Sequence, residues 1–291
     1  MEIKVYDRRQ RRCTVEKQYG GGAVEFLYET AAGRLLLWLF VSGRLFSRLC
    51  ALRDRLPSSV KRIRPFIKEY RIKMSDFEAE RYRCYADFFT RRVKRSARPI
   101  DGSRGSFVAV ADSKLSCYEI DDSLCLEIKG GKYTVGELIG DEKLARVFAG
   151  GTALVFRLTV DDCHRYCFPS DGRLISRRRI NGRLHTVRPI AQKRYRVFSE
   201  NSREIALLDT DMFGEIIQLE VGALLVGKIT NNSMASFKKG DEKGFFELGG
   251  STCVLLLKRD AVRIDGDILA HSAAGIETRV LMGERIGTAD A

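Results

Sequence analysis

The chain has 291 residues, 44% of them hydrophobic and 31% charged, a balance too apolar for a disordered protein and sufficient for one large or two ordinary domains. Lys and Arg number 51 against 38 Asp and Glu, a net charge of +13, and 18 basic against 6 acidic residues fall between Arg34 and Arg98. That block attracts polyanions, either nucleic-acid phosphates or an anionic leaflet. The eight cysteines are scattered without a Cys-x-x-Cys pair, which excludes a disulfide framework or zinc ribbon and fits a reducing cytoplasm.

Residues 1–30 hold a short alternating stretch and the Gly20-Gly21-Gly22 turn. Residues 31–98 read as helical, with Ser75 and Glu78 as a capping box before a helix over Phe77–Phe89. The most apolar run, Leu35 to Gly43, is too short to span a bilayer, and no secretory signal is expected. Leu35–Val41 is either a buried core helix or an interfacial one, whose Arg34, Arg44, Arg48 and Arg53 meet lipid headgroups. Tyr82, Tyr85, Phe88 and Phe89 lie close to the basic block and could stack on bases, but no nucleic-acid motif accompanies them. Arg98-Pro99 closes this region.

From Phe107 the pattern changes. Phe107–Val110, Leu115–Ile120, Leu124–Lys129, Ala153–Thr159, Glu204–Leu208, Glu215–Val221 and Cys253–Leu257 are short and rich in strand formers. Asp171-Gly172 and Asn181-Gly182 read as hairpin turns. The expected fold is α+β: a basic, largely helical membrane-associating region over 1–100, then a β-rich, sandwich- or barrel-like catalytic core over 101–291.

Three histidines, His164, His185 and His271, are the only imidazoles available for proton transfer near neutral pH. Cys163, His164 and Cys167 lack a second ligand pair at standard spacing, so no metal is expected. Gly249-Gly250-Ser251-Thr252 precedes an apolar run. It reads as a tight turn into a buried strand, or as a strained turn in which a serine hydroxyl attacks the unobstructed glycine carbonyl before it.

The chain resembles the phosphatidylserine decarboxylase proenzyme family, in particular its clostridial-type branch. The resemblance runs from about residue 13 to residue 260. It is carried by Phe88–Lys94 with Arg98-Pro-Ile-Asp101, Val110-Ala-Asp-Ser113, Ile128–Tyr133, Asp162-Cys-His-Arg-Tyr-Cys167, Gly182–Val187, Glu200–Glu204, Glu220–Gly227 and Gly249-Gly-Ser-Thr252. It implies self-cleavage between Gly250 and Ser251, giving a β chain, 1–250, and an α chain, 251–291, that stay associated. It also implies a covalent pyruvoyl group made from Ser251, the electron sink when phosphatidylserine loses carbon dioxide to become phosphatidylethanolamine.

Under this resemblance Asp112 and Ser251 match the aspartate and serine of the self-cleavage triad. His164 matches the first histidine of an Asp-Tyr-His-Arg-x-His element. The second histidine, the usual triad base, is Cys167 here, and a thiol beside a carboxylate is a poor base. His164 paired with Asp112 is therefore favoured, and His185 stays open as a second imidazole. Phosphatidylserine in an anionic membrane is the expected partner and nucleic acid is not. A peripheral position on the cytoplasmic side of the cell membrane is expected, and assembly of several copies stays open. Two other readings remain: a pyruvoyl decarboxylase of a soluble amino acid, and an unprocessed basic lipid- or nucleic-acid-binding protein.

Overall fold

A computed structural model describes residues 3–16, 21–128, 131–187, 189–192, 194–224, 228–249 and 251–289. Its centre is a ten-stranded mixed sheet. In spatial order the strands are Ser236–Phe237, Gly172–Ile180, Arg203–Thr210, Gly214–Val221, Ser251–Leu257, Thr152–Leu158, Ser113–Glu119, Glu277–Val280, Lys4–Asp7 and Arg12–Val15. All neighbours are antiparallel except Lys4–Asp7, which runs parallel to Glu277–Val280. With helices on its faces this is the expected α+β fold with a β-rich core.

The sequence Ser-Thr-Cys-Val-Leu-Leu-Leu explains the central place of Ser251–Leu257. Every residue in it is buried, which suits a strand covered on both faces rather than one half-exposed at an edge. Its side chains alternate between two cores. Cys253, Leu255 and Leu257 pack with Leu115, Leu154, Phe156 and Ile268. Val254 and Leu256 pack with Val155, Ile217, Leu219 and Leu138 on the other face. A smaller sheet, Lys228–Asn231, Glu242–Glu247 and Arg165–Cys167, carries the His164 segment to the end of this strand.

The helical region is more broken than expected. Helices at Gly21–Glu29, Ala31–Leu36, Arg44–Arg55, Ile63–Tyr70 and Tyr85–Phe89 are joined by a wider π turn at Leu37–Val41 and by 3-10 turns. The Ser75–Glu78 capping box does not form. Ser75 sits inside the 3-10 turn Met74–Asp76, and Glu78 N–H bonds to the Arg92 carbonyl, so only Tyr85–Phe89 of the expected helix is helical. Neither hairpin signal makes a two-residue turn. Gly172–Ile180 pairs with Arg203–Thr210 across a long connection, and Arg165–Cys167 pairs with Glu242–Glu247 instead. A tight hairpin lies between Thr210 and Gly214.

No single helix among the described residues is long and apolar enough to cross a membrane. Ala31–Val41 and Leu45–Arg55 meet at a 76° bend. Around that bend Leu37 and Val41 are buried, whereas Leu35, Leu36, Trp38, Leu39, Phe40, Leu45, Leu49 and Leu52 are exposed, Phe40 by 61% and Leu45 by 71%. The run is thus half core and half open apolar face. Arg183 bonds to the Trp38 carbonyl and its guanidinium lies over the Trp38 ring.

Candidate active site

Ser251 opens its strand by pairing with Leu158 on Thr152–Leu158. The backbone before it is bent sharply. Leu248 has φ +75° and Gly249 φ +81°. Glycine adopts this conformation freely, but a leucine there stores strain of about 1–3 kcal/mol. Buried packing of Leu248 against the Ala51, Phe66 and Phe88 group holds it in place. Gly250, the other half of the expected cleavage site, lies outside the described residues, as do Lys129, Gly130 and 225–227 of the matched motifs.

The loop after Leu158 brings His164 to this serine. His164 Nδ1 is 3.2 Å from Ser251 Oγ, and Nε2 is 2.9 Å from the Thr159 carbonyl. A carbonyl only accepts, so Nε2 carries the proton. Nδ1 then presents its lone pair to the Ser251 hydroxyl, the tautomer a general base requires. Both residues are fully buried. Burial first, and then the nearby Arg91 charge, depress the His164 pKa to about 3, so the ring is neutral at pH 7. Phe89 lies 4.2 Å from the imidazole, centroid to centroid, and shields it.

Thr159 is itself fixed. Asp162 accepts from Thr159 N–H at 2.8 Å, from Thr159 Oγ at 2.9 Å and from Lys114 Nζ at 2.7 Å. Lys114 also bonds to Thr159 Oγ. This closed loop aims the Thr159 carbonyl at His164. Residue type alone does not single out Asp162, Thr159, Lys114 or Phe89 for this role. Only the position of Asp162, two residues before His164, was a signal.

Asp112 is elsewhere engaged. Arg98 grips it through Nε at 2.9 Å and 3.0 Å and through Nη2 at 2.8 Å, and Met282 N–H donates to it at 2.9 Å. Among the described residues no hydrogen bond joins Asp112 to His164 or Ser251. The expected Asp112–His164 pair is replaced by Arg98–Asp112, because a guanidinium fits both carboxylate oxygens at once. Cys163 and Cys167 lie within the field of Asp112. Burial, and second the Asp112 charge, raise both thiols, Cys163 to about 11 and Cys167 further. The Cys167 thiol donates to the Ala109 carbonyl, at a sulfur–oxygen distance of 3.8 Å, and is not a base.

His185 is not brought to the serine. Its ring stacks on Tyr195 at 4.1 Å, and Nδ1 meets the Tyr28 hydroxyl at 3.5 Å. Asn201 clamps its backbone N–H and carbonyl. Burial lowers its pKa to about 4. His271 stacks on Tyr6. The aromatics weighed for base stacking are turned inward: Tyr85, Phe88 and Phe89 are buried with Phe66. Among the described residues no group of three or more His, Cys, Asp or Glu side chains is placed to hold a metal ion.

A cavity of about 570 Å³ adjoins the bend. Gly249, Thr159 and Phe89 line one part of it. Leu36 and Phe40 of the exposed apolar region and the partly buried Phe46 line another. Polar groups on its wall are few and include Glu16, Arg157, Asp161 and the Asp54–Arg62 pair.

Comparison with known proteins identifies the family. The family model described as phosphatidylserine decarboxylase matches residues 85–288. The chain is 54% identical over 287 residues to phosphatidylserine decarboxylase proenzyme 2 of Clostridium acetobutylicum, covering 99% of both chains. It is 39% identical to the phosphatidylserine decarboxylase proenzyme of Clostridium perfringens, over 98% of this chain and 99% of that one. With the proenzyme of Fusobacterium nucleatum it shares 37% identity, over 98% and 97%. A buried serine at a strained turn, faced by a neutral imidazole, thus lies inside a sequence match that spans almost the whole chain, and the chain belongs to the phosphatidylserine decarboxylase family of carboxy-lyases.

Proposed function

We propose that the chain cuts itself between Gly250 and Ser251 and then decarboxylates phosphatidylserine at a membrane surface. The observation that carries this reading is the 3.2 Å approach of His164 Nδ1 to Ser251 Oγ, with the opposite nitrogen tied to Thr159. His164 takes the hydroxyl proton as Oγ attacks the Gly250 carbonyl. The proton passes to the departing Ser251 nitrogen, leaving an ester between Gly250 and the serine oxygen. Elimination across the Ser251 Cα–Cβ bond releases the Gly250 carboxylate. Hydrolysis then expels ammonia and converts the new N-terminus to a pyruvoyl group.

The surroundings suit that group. It would sit at the buried start of Ser251–Leu257, beside His164 and next to the cavity at Gly249. Once formed it supplies the electron sink for loss of carbon dioxide. The chain's own residues bind and orient the lipid: Phe89 and Leu158 exclude water, and the cavity leads toward Leu36 and Phe40.

The open apolar face around Trp38 and Phe40, beside a net charge of +12 over Arg34–Arg98, favours a lipid over a soluble amino acid. We infer peripheral binding to the cytoplasmic side of the cell membrane, where attraction to anionic lipid adds to insertion of these side chains.

Intact-mass analysis of the purified protein tests the first step. The wild type is expected as two chains, 1–250 and 251–291, with a carbonyl reagent labelling only the smaller. Ser251→Ala is expected as one inactive chain, and equal splitting in that variant overturns the serine mechanism. Conversion of phosphatidylserine vesicles to phosphatidylethanolamine tests the second.

A further inference from the structure

The cavity wall holds a carboxylate that none of the steps above uses. Asp161 follows Thr159 in the loop that leads to His164, lines the cavity, and its charge acts on the His164 ring. Its backbone carbonyl accepts from Arg91 at 2.9 Å. Its side chain is half-buried and makes no hydrogen bond or ion pair among the described residues. Three other cations nearby are paired with carboxylates. Lys114 is on Asp162, Arg157 on Glu277 and Glu16, and Arg62 on Asp54. Arg91 is buried under Phe77 and Phe88 and gives its protons to the carbonyls of Phe88, Asp161 and Asp162. The Asp161 carboxylate therefore faces a largely apolar cavity that Gly249, two residues before Ser251, also lines.

A carboxylate with no cation paired to its side chain is free to accept a charge-assisted hydrogen bond from a ligand's ammonium. The substrate class under the reading above carries one: a primary ammonium on a phosphodiester headgroup. We propose that Asp161 recognises this ammonium and sets the headgroup's orientation, so that the amine points toward the Ser251 end of the cavity. The same charge repels the substrate's carboxylate and keeps it in the apolar part of the cavity, lined by Phe89, Leu158 and Leu248. A carboxylate leaving as neutral carbon dioxide is helped by such surroundings. Asp161 is thus a specificity residue that selects amine-bearing headgroups over amine-free ones of equal phosphate charge. This inference rests on the proposed lipid substrate but not on self-cleavage.

The test uses full-length Ser251→Ala protein, which cannot react with an amine. Binding of phosphatidylethanolamine and of phosphatidylmethanol, each in neutral-detergent micelles, is measured by calorimetry. The parent is expected to prefer the amine lipid by about tenfold or more, the effect of one charge-assisted contact. Asp161→Asn should abolish the preference without weakening phosphatidylmethanol binding, and Asp161→Glu should restore part of it. In the otherwise wild-type chain Asp161→Asn should still split, while its KM for phosphatidylserine rises about tenfold. No amine preference in the parent, or a preference that survives in Asp161→Asn, overturns the proposal. A wild-type chain that stays whole overturns the cleavage reading and leaves the binding result standing by itself.

Discussion

The depressed pKa of His164 makes acid the sharpest probe of this site. An ordinary imidazole with a pKa near 6.5 is only about 3% in its base form at pH 5, so a cleavage reaction relying on it slows about thirtyfold between pH 7.5 and pH 5. His164, at about 3, stays almost wholly neutral over that range. Self-cleavage should therefore change less than twofold from this group, and fall only near pH 3. The same burial has a stability signature. An unfolded chain takes up the proton near pH 6.5, while the folded chain resists until about pH 3, so acid favours unfolding throughout that window and adds nothing more below it. At pH 4.5, two units below 6.5, the loss attributable to His164 is about 3 kcal/mol at 1.36 kcal/mol per unit. His185, at about 4, acts in the same direction, so the informative quantity is a difference between variants. Urea unfolding of Ser251→Ala and of Ser251→Ala/His164→Gln is compared at pH 7 and pH 4.5. The double variant should lose about 3 kcal/mol less on acidification. An unchanged acid slope, or a thirtyfold fall in cleavage by pH 5, refutes the neutral, buried imidazole.

Other outcomes follow from the contacts at the site. His164→Ala should remain one chain, since no other imidazole reaches Ser251, and intact mass reads this directly. Asp162→Ala should slow cleavage at least tenfold and destabilise the protein by about 3–5 kcal/mol, because it leaves the buried Lys114 charge with Glu16, 3.9 Å away, as its remaining carboxylate; matched cleavage time courses and denaturation curves check both. His185→Ala should split normally while losing about 2 kcal/mol of stability with its stacking on Tyr195; a block in splitting would make it the second imidazole. On anionic vesicles Trp38 fluorescence should shift to the blue, and binding should weaken with salt without vanishing. Leu36→Ser/Phe40→Ser should remove the salt-resistant part, and complete loss of wild-type binding at high salt would sink the inserted face.

The strands were legible where the sequence was locally insistent. Cys253–Leu257 is an unbroken apolar run and Ala153–Thr159 one interrupted only by Arg157 before its terminal threonine, and each lies in the sheet within two residues of its expected ends. Gly172–Ile180 carries four arginines on a nine-residue strand with no buried residue, so no hydrophobic alternation announces it. The Phe77–Phe89 helix failed because Phe77 is claimed by a bridge to Val93, a tertiary contact that local propensity cannot foresee. At the site, Ser251 and His164 were readable from motif chemistry. Asp112 was readable as the triad aspartate that the resemblance implies but not as the partner of Arg98, which depends on two segments meeting in space. Thr159 acts through its backbone carbonyl, and any residue type would offer that atom.

Two of the strands from Ser251 onward are interior members of the ten-stranded sheet. Ser251–Leu257 is flanked by Gly214–Val221 and Thr152–Leu158, and Glu277–Val280 by Ser113–Glu119 and Lys4–Asp7. A cut before Ser251 severs one covalent link and none of these ladders. The uncut chain refolds as a single molecule, at a rate indifferent to dilution. The cut protein must instead find a separate 41-residue partner for two slots inside the sheet, a second-order event that slows as the protein is diluted. Scission would then be a one-way mark in the protein's history, since the fold is assembled as one chain and after cleavage is held mainly by its unfolding barrier. Thermal damage that the precursor survives on cooling would become permanent in the mature form.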